Sequence, residues 1–382
     1  MKFSLILLSL FLFCIPIFAQ QTDIAGVDKD TITNYSAYKR SIGFSGLLQT
    51  RFVNSLTSDV DVNGKNFNEN SDSKITNTFL LKRVRFMVKG TVNDHFSANL
   101  MFNFAEFSSN PTNKVLENAY VKYTLNKHLN VQAGQFRPFF GIEDAMPVDV
   151  IRTLDYSNQY YAFGASGWQS FQVGLSIFGD ITGEGQLPVR YYAGVYNGNN
   201  RNQPVDNDNQ KNVYGRLEAT IGKTMIVGIN GAFGSQGNGG GDAWGADVIG
   251  KAKISTNWQF LFGTEYKNGT NLALYNTYTV PRPPLSQVRM QGIYVFPIMR
   301  YSFNMPRVRA IEFSSRYEYL NENYKFDSNP HQTIIPNVSL VFADDFYAVV
   351  QMGVSIDMYK NDIPLTTTYS HNLGYLQLQV RF

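Results

Sequence analysis

Side chains that alternate with a period of two through residues 78–138 limit most strongly what this chain can fold into. In residues 95–106, one parity is apolar and the other is mostly polar, the apolar members being Phe96, Ala98, Leu100, Phe102 and Phe104. Such a period is typical of a β-strand with two unlike faces. Because the pattern recurs to the last residue, it predicts a closed barrel with its apolar face toward lipid and its polar face toward water.

The composition agrees with a barrel in a membrane. Aromatic residues make up 14% of the chain and charged residues only 16%, which is few charges for a soluble domain. No internal run approaches the roughly 20 apolar residues that a membrane helix needs. Lysine and arginine total 33 against 30 acids, a near balance that predicts no nucleic-acid partner. No linker rich in proline and glycine divides the chain, so one main domain is expected.

The N-terminus predicts export. Lys2 precedes an apolar stretch and a small-residue site ending at Ala19, which is typical of a signal peptide over residues 1–19. A membrane anchor is disfavoured by the short apolar stretch, and a lipoprotein would need Cys14 at the cleavage site. Cys14 is the only cysteine, so the mature chain is expected to form no disulfide. Residues 20–41 are predicted to be a periplasmic lead-in, and residues 42–382 the barrel.

The segments between turns predict an all-β, transmembrane, antiparallel up-and-down barrel of about sixteen strands. Short turns alternate with longer connections, including residues 139–167 and 235–242, as expected when one rim faces the periplasm and the other the outside. An even count lets the sheet close and places both termini in the periplasm. The predicted strands are residues 42–53, 78–91, 96–106, 115–125, 129–138, 168–178, 189–196, 213–221, 225–234, 243–253, 258–267, 287–303, 308–319, 332–341, 347–359 and 369–382.

Charged residues crowd the parity assigned to the lumen, and they allow two interpretations. They form either a cationic lumen that attracts anions or an ordinary wet wall whose charges pair, such as Arg216 with Glu218 or Arg316 with Glu312. Pairing is favoured for most, but the row with Arg83 and Arg85 has no inward acid in its own strand. The inward bases are Arg51, Arg83, Arg85, Lys89, Lys122, Arg190, Arg216, Lys251, Lys253, Arg289, Arg316 and Arg381.

The connection 139–167 is the longest within the barrel, and connections of this length are functional or disordered. Its proline and aromatic residues favour an ordered loop. Its ionisable residues are one base, Arg152, and four acids, Glu143, Asp144, Asp149 and Asp155. This excess of acids argues against a simple anion-attracting constriction.

Other chemistries find little support in the sequence. The four histidines lack metal-ligand spacing, so no metal or cofactor is expected. Ser370 and His371 are adjacent strand residues on opposite faces, which cannot form a hydrolase pair. The glycine run 237–241 joins two strands without a following helix, unlike a phosphate-binding loop. An enzyme is therefore not predicted.

Several linked motifs resemble the phosphate-selective porin O and P family, best over residues 81–161. They are Arg83 and Arg85, Lys89-Gly90, Asn118-Ala119-Tyr120-Val121, Ala133-Gly134-Gln135-Phe136 and Arg137-Pro138. The terminal Phe382 also resembles the last residue of bacterial outer-membrane barrels. The resemblance implies a trimeric, anion-conducting porin whose pore is lined by arginines, by position Arg83, Arg85, Arg137 and Arg152. It also implies that the loop after the fifth strand folds inward and narrows the pore.

The sequence thus predicts a passive diffusion channel for small hydrophilic solutes in the outer membrane of a Gram-negative bacterium. The resemblance extends this to an anion or phosphate preference. Lys89 and Lys122, which lie on the inward parity, are added to the pore-lining arginines. The acidic loop departs from an anion-attracting constriction. A general or cation-preferring porin therefore stays open, as does a closed barrel acting as a surface-binding or structural protein.

Overall fold

The computed structural model describes residues 40–68, 75–108, 115–146, 151–203, 205–206, 209–236, 239–343 and 346–382. The predicted signal peptide and residues 20–39 of the predicted lead-in lie outside these residues. From Arg40 to Phe382 the chain forms one compact unit.

That unit is a closed barrel of sixteen strands, each hydrogen-bonded antiparallel to its neighbours in sequence. The barrel closes because β1 pairs with β16 as well as with β2, for example at Leu48 opposite Val380 and opposite Val84. Closure leaves the sheet without a free edge, as a lipid environment requires. The strands are β1 (Ser41–Ser55), β2 (Asn77–Thr91), β3 (Phe96–Asn103), β4 (Leu116–Asn126), β5 (Leu129–Phe136), β6 (Gln172–Asp180), β7 (Val189–Tyr196), β8 (Asn212–Ile221), β9 (Met225–Gln236), β10 (Gly239–Lys253), β11 (Trp258–Thr270), β12 (Arg289–Ser302), β13 (Ala310–Asn321), β14 (His331–Val341), β15 (Ala348–Tyr359) and β16 (Asn372–Arg381).

The predicted sixteen-stranded antiparallel barrel is confirmed, and the predicted strands differ from the observed ones only at their ends. The largest differences are at β6, which begins at Gln172, and at β10, which begins at Gly239. The predicted long connection 235–242 is wrong, because β9 continues to Gln236 and the glycines of β10 pair with it, for example Gly241 opposite Gly234. A glycine-rich sequence favours a loop, yet the backbone of these glycines forms strand hydrogen bonds with β9.

The two faces of the wall differ as the alternation predicts. In β16, Leu376 and Leu378 are 49% and 48% exposed on the outside, whereas Gln377 and Gln379 are fully buried on the inside. The parity predicted for β12 from an inward Arg289 is wrong, because Gly292, on the other parity, faces inward against Gln159. Arg289, predicted to face the lumen, has the opposite parity and pairs with Asp242 at 2.8 Å. The run YVFPIM in β12 is apolar on both parities, so its inward face could not be identified from the alternation.

Among the described residues, three short α-helices lie in the connections: α1 (Ile142–Ala145), α2 (Asn158–Ala165) and α3 (Leu272–Thr277). Ser157 caps α2 by accepting a hydrogen bond from the backbone N–H of Tyr160, and Asn271 caps α3 in the same way from Leu274. None of the helices in the described ranges is both long and apolar enough to cross a membrane.

The lipid-facing assignment can be tested with an arginine placed at two depths. Ile229, in the middle of β9 and 58% exposed, should cost about 2–4 kcal/mol of unfolding free energy when changed to arginine, because the charge enters hydrocarbon. The matched variant Ile221→Arg, at the end of β8 beside a short turn, should cost about 0–1 kcal/mol because it lies near the interface. Urea titration in lipid vesicles measures both. Equal costs at the two positions would contradict this assignment.

Candidate functional site: the luminal loop and the arginine pocket

The connection between β5 and β6 is here called the luminal loop (residues 137–171), and its described residues, 137–146 and 151–171, pack inside the barrel. Phe140, Phe163 and Trp168 are fully buried. The indole N–H of Trp168 donates to the carbonyl oxygen of Thr270 at the end of β11, at 2.7 Å. Aromatic side chains of this connection therefore pack against the inner wall.

A group of wall cations holds the middle of the loop. The carboxylate of Asp155 lies 3.4 Å from Arg51, 2.9 Å from Lys82 and 2.7 Å from Arg83. Burial alone would raise the pKa of Asp155, but these three cations together hold it well below the ordinary range of an aspartate. Asp155 therefore stays charged, and its charge is neutralised by the wall.

Lys82 and Arg83 reach the same carboxylate because the strand is irregular there. The pairing of β1 with β2 shifts between Gln49, opposite Arg83, and Thr50, opposite Leu81. Lys82 is thus an extra residue, as in a β-bulge, and the extra residue changes the direction of the side chains around it. Two consecutive residues can then contact one carboxylate on the lumen side.

The opposite wall binds the loop as well. Arg316 of β13 donates to the carbonyl oxygens of Asp155 and Tyr156 and to the hydroxyl of Thr153. The backbone N–H of Asn158 donates to Glu318 at 2.6 Å. Since β13 is eight strands from β5 around a wall of sixteen, the loop crosses the lumen.

The arginine of the loop is bound to the same wall. Arg152 forms an ion pair with Glu312 of β13, which also pairs with Arg300 of β12. The carbonyl oxygen of Arg152 accepts a hydrogen bond from Gln351 of β15 at 3.2 Å. These contacts fix the segment on the far side of the lumen from β5.

Two acids of the loop, Glu143 and Asp144, are buried. Glu143 accepts hydrogen bonds from the backbone N–H and the hydroxyl of Ser157, at 2.7 and 2.5 Å. Burial and the nearby carboxylate of Glu265 raise the pKa of Glu143 to about 8. Asp144 accepts from Gln169 at 2.8 Å, and burial raises the pKa of Asp144 to about 7 although Lys267 and Arg137 oppose the shift.

Pairing accounts for many of the inward charges. Arg216 pairs with Glu218 as predicted, at 3.2 Å, and also with Asp247. The predicted pair of Arg316 with Glu312 is wrong, because Arg316 pairs with Glu318 at 2.7 Å. Glu312, four residues before Arg316, and Glu318, two residues after it, both share a face with Arg316, so sequence spacing alone could not choose between the two acids.

The loop and the β2–β5 side of the wall enclose a cavity of about 350 Å³, here called the arginine pocket. Arg85 and Arg201 pair with Glu117 at 2.6 and 3.7 Å, and Arg201 lies 3.3 Å from Glu106. Five cations line the pocket against two carboxylates, with Asp155 beneath as a third. The charged lining residues are Lys82, Arg83, Arg85, Arg137, Arg201, Glu106 and Glu117.

Arg137 is held in this pocket by aromatic rings. Its guanidinium carbon lies 4.6 Å from the centre of the Phe171 ring and 5.0 Å from that of Tyr156. One of its N–H groups donates to the hydroxyl of Tyr156 at 2.6 Å. Its side chain forms no ion pair with a carboxylate of the described residues, so its charge adds to the excess of positive charge in the pocket.

The structure brings together some of the predicted site residues and separates others. Arg83, Arg85 and Arg137 line the arginine pocket, whereas Arg152 lies across the lumen beside Glu312. Lys89 lies at the exposed short-turn end of β2, and Lys122 lies over the Phe178 ring at 5.5 Å. Of the four loop acids, Glu143, Asp144 and Asp155 contact the wall or the loop, and Asp149 lies outside the described residues.

Sequence reasoning missed several residues of the pocket. Lys82 was assigned to neither face because no sequence signal marks its bulge. Arg201 lies in the connection between β7 and β8, where alternation gives no guidance, and the ring contacts of Arg137 depend on the fold of the loop. Within the described ranges, no group of three or more histidine, cysteine, aspartate or glutamate side chains is arranged to hold a metal ion.

Comparison with known proteins identifies a porin family that this chain resembles. The model of the family described as phosphate-selective porin O and P matches residues 54–220. The predicted resemblance to that family is confirmed. The stretch of this chain that the family model matches contains the luminal loop and every charged residue of the arginine pocket. No curated protein matches the chain significantly in sequence.

Solved outer-membrane proteins share the fold at low sequence identity. In-vitro folded OmpT of Vibrio cholerae, in its trimer form, is 15% identical, with a TM-score of 0.55 over 90% of this chain and 99% of that one. The outer-membrane channel DcaP of Acinetobacter baumannii is 13% identical, with a TM-score of 0.55 over 90% and 97%. An anion-selective porin from Comamonas acidovorans is 9% identical, with a TM-score of 0.56 over 90% and 99%. The family match and the shared fold are those of outer-membrane porins of Gram-negative bacteria.

The attachment of α1 should weaken as the pH rises. A carboxyl whose pKa is raised by folding stabilises the folded state fully below its ordinary pKa, and this contribution is lost as the pH passes the folded value. For Glu143 and Asp144 those folded values are about 8 and about 7. Amide hydrogen exchange of residues 142–146, corrected for its intrinsic pH dependence, should lose protection between about pH 4 and pH 8.

The control is the double variant Glu143→Gln and Asp144→Asn, which keeps the size of both side chains and cannot ionise. Its protection should not change over the same range. If the double variant loses protection with rising pH as the unmodified protein does, the role of these two carboxyls is contradicted.

Proposed function

We propose that this protein is a passive diffusion channel for small hydrophilic solutes with a preference for anions, and that the arginine pocket sets the preference. The observation that supports this most directly is the charge of the pocket, where five cations face three carboxylates, including Asp155. A lumen wall with an excess of one sign concentrates ions of the opposite sign and lowers their transfer barrier.

The acids of the luminal loop do not oppose this preference. Asp155 is neutralised by Arg51, Lys82 and Arg83. Burial raises the pKa of Glu143 to about 8 and of Asp144 to about 7, so both are largely uncharged at slightly acidic pH. The acidic composition of the loop therefore overstates the negative charge that a passing ion meets.

A phosphate preference is the finer part of the proposal. Four of the five cations in the pocket are arginines, whose planar guanidinium matches the oxygens of a phosphate in pairs. Arg137 has the strongest case, because its described partners are aromatic rings, a hydroxyl and a carbonyl oxygen. The family match supports the same solute class by resemblance.

A closed barrel with a surface-binding or structural role is the second candidate. It is favoured by the attachment of the luminal loop to both sides of the lumen, through Asp155 to β1 and β2 and through Asn158 to β13 and β14. In that case a folded barrel would insert into a bilayer without producing conductance steps.

Assembly and export are further parts of the proposal. We expect a homotrimer in outer-membrane lipid, as the trimer form of the similarly folded OmpT suggests. Unheated gel electrophoresis of detergent-extracted protein should show one species of about three times the mass of the heated chain. N-terminal sequencing of the mature protein should begin at Gln20. A monomer would contradict the proposed trimer, and an N-terminus that begins at Met1 would contradict the proposed signal-peptide cleavage.

Reversal potential across a planar bilayer under a salt gradient tests the anion preference. The unmodified channel should favour anions, and Arg83→Ala with Arg85→Ala should shift the preference toward cations because Glu117 and Asp155 each lose an arginine partner. Arg201→Gln should shift it in the same direction while leaving the Asp155 contacts of the loop intact. The matched control, Lys223→Ala in the exposed turn between β8 and β9, should leave the potential unchanged.

A cation preference in the unmodified channel would contradict the proposed role of the arginine pocket, and a general porin would remain. A potential that responds to Lys223→Ala as strongly as to Arg201→Gln would also contradict it. Absence of conductance steps from folded protein would favour the closed barrel.

A further inference from the structure

The luminal loop borders a second, partly open cavity on the side away from the arginine pocket. This cavity, the apolar chamber, has a volume of about 240 Å³ and lies between the loop and the wall formed by β10–β12. It is lined mainly by Met146 and Ile151 of the loop and by Ile249, Leu261, Phe296 and Ile298 of the wall. The two cavities are separated by the loop itself.

The wall of the chamber breaks the polar pattern of the lumen. Asp247 in β10 and Glu265 in β11 face inward and are buried. Ile249 faces inward after Asp247 in β10, and Leu261 faces inward before Glu265 in β11. Phe296 lies across Gly263 of the neighbouring strand, where an added Cβ would come within 2.4 Å of the ring. The absence of a side chain at Gly263 therefore gives the ring space to lie along the wall, which makes this surface continuous and apolar.

The ionisable groups at the edge of the chamber already have partners. Glu143 accepts from Ser157, Arg152 pairs with Glu312, and Arg316 pairs with Glu318. A charged ligand would have to displace one of these buried pairs, which is costly because the group left behind would be unpaired. The charge pattern thus favours an uncharged ligand.

The volume and lining of the chamber indicate the size of the ligand. An apolar cavity of about 150 Å³ lined by leucine, isoleucine and phenylalanine stays dry and binds benzene. A chamber of about 240 Å³ with a comparable lining offers water few hydrogen-bond partners and has room for one substituted ring.

We propose that the apolar chamber is a binding site for small uncharged molecules with one aromatic ring. Such a molecule would bind beside β10–β12, whereas anions are expected to pass beside β2–β5. The two sites share the luminal loop but no lining residue, so the chamber does not depend on the ion preference.

Crystals of the detergent-folded protein exposed to bromobenzene vapour test this proposal, because bromine is located directly by its anomalous scattering. A bromine peak is expected between Ile151 and Phe296. Leu261→Trp should remove the peak by filling the chamber, and Ile249→Phe serves the same purpose if the tryptophan variant does not fold. The matched control, Ile229→Phe on the lipid-facing side of β9, should keep the peak.

Three results would overturn the proposal. They are no bromine in the chamber of the unmodified protein, a peak that persists when the chamber is filled by a folded variant, and a chamber occupied by side chains of the loop itself. Bromine found only at the lipid-facing surface counts with the first of these, since any apolar surface in detergent would bind it.

Discussion

Lipid offers no hydrogen-bond partner to a backbone, and this constraint determines the architecture of the protein. Each polar backbone group in the wall must therefore pair with a neighbouring strand. Pairing of β1 with β16 satisfies the two strands that would otherwise form open edges. Once the sheet is closed, alternate side chains must face lipid and lumen, and the contrast between exposed Leu378 and buried Gln377 follows directly.

Charge pairing then organises the lumen. Side chains such as Arg83 and Arg316 project inward from distant strands, and their buried charges require partners. The luminal loop supplies them through Asp155 and its neighbouring carbonyl oxygens. Because cations from both sides of the wall bind the same segment, the loop is held across the lumen and divides its interior into a cationic pocket and an apolar chamber.

Sequence reasoning could predict the wall because a period of two is a local property, readable from a few residues. It could predict that Arg83 and Arg85 share a face for the same reason. It could not predict that Lys82 joins them, because the bulge depends on pairing with β1. Nor could it choose Glu318 over Glu312 as the partner of Arg316, since rotamers and the position of the loop decide between two acids on one face.

The apolar chamber was missed for a related reason. Ile249, Leu261 and Phe296 belong to separate strands and meet the loop only in the folded barrel. In β12, apolar residues on both parities also hide which face is inward, as the wrong assignment of Arg289 to the lumen shows. Luminal position in such a strand is decided by its neighbours and not by its own alternation.

A disulfide between α2 and the wall tests most directly whether the luminal loop lies across the lumen. A Cβ placed on Gly292 would lie 2.8 Å from the Cβ of Gln159, so a small shift reaches the roughly 3.5–4.5 Å of a disulfide. Cys14 is the only native cysteine and precedes the predicted cleavage site. In the variant with Gln159→Cys and Gly292→Cys, oxidation of the folded barrel should form the bond and leave the conductance unchanged, because the loop already occupies that position. Two thiols that remain separately reactive, or a conductance that falls sharply on oxidation, would contradict this account.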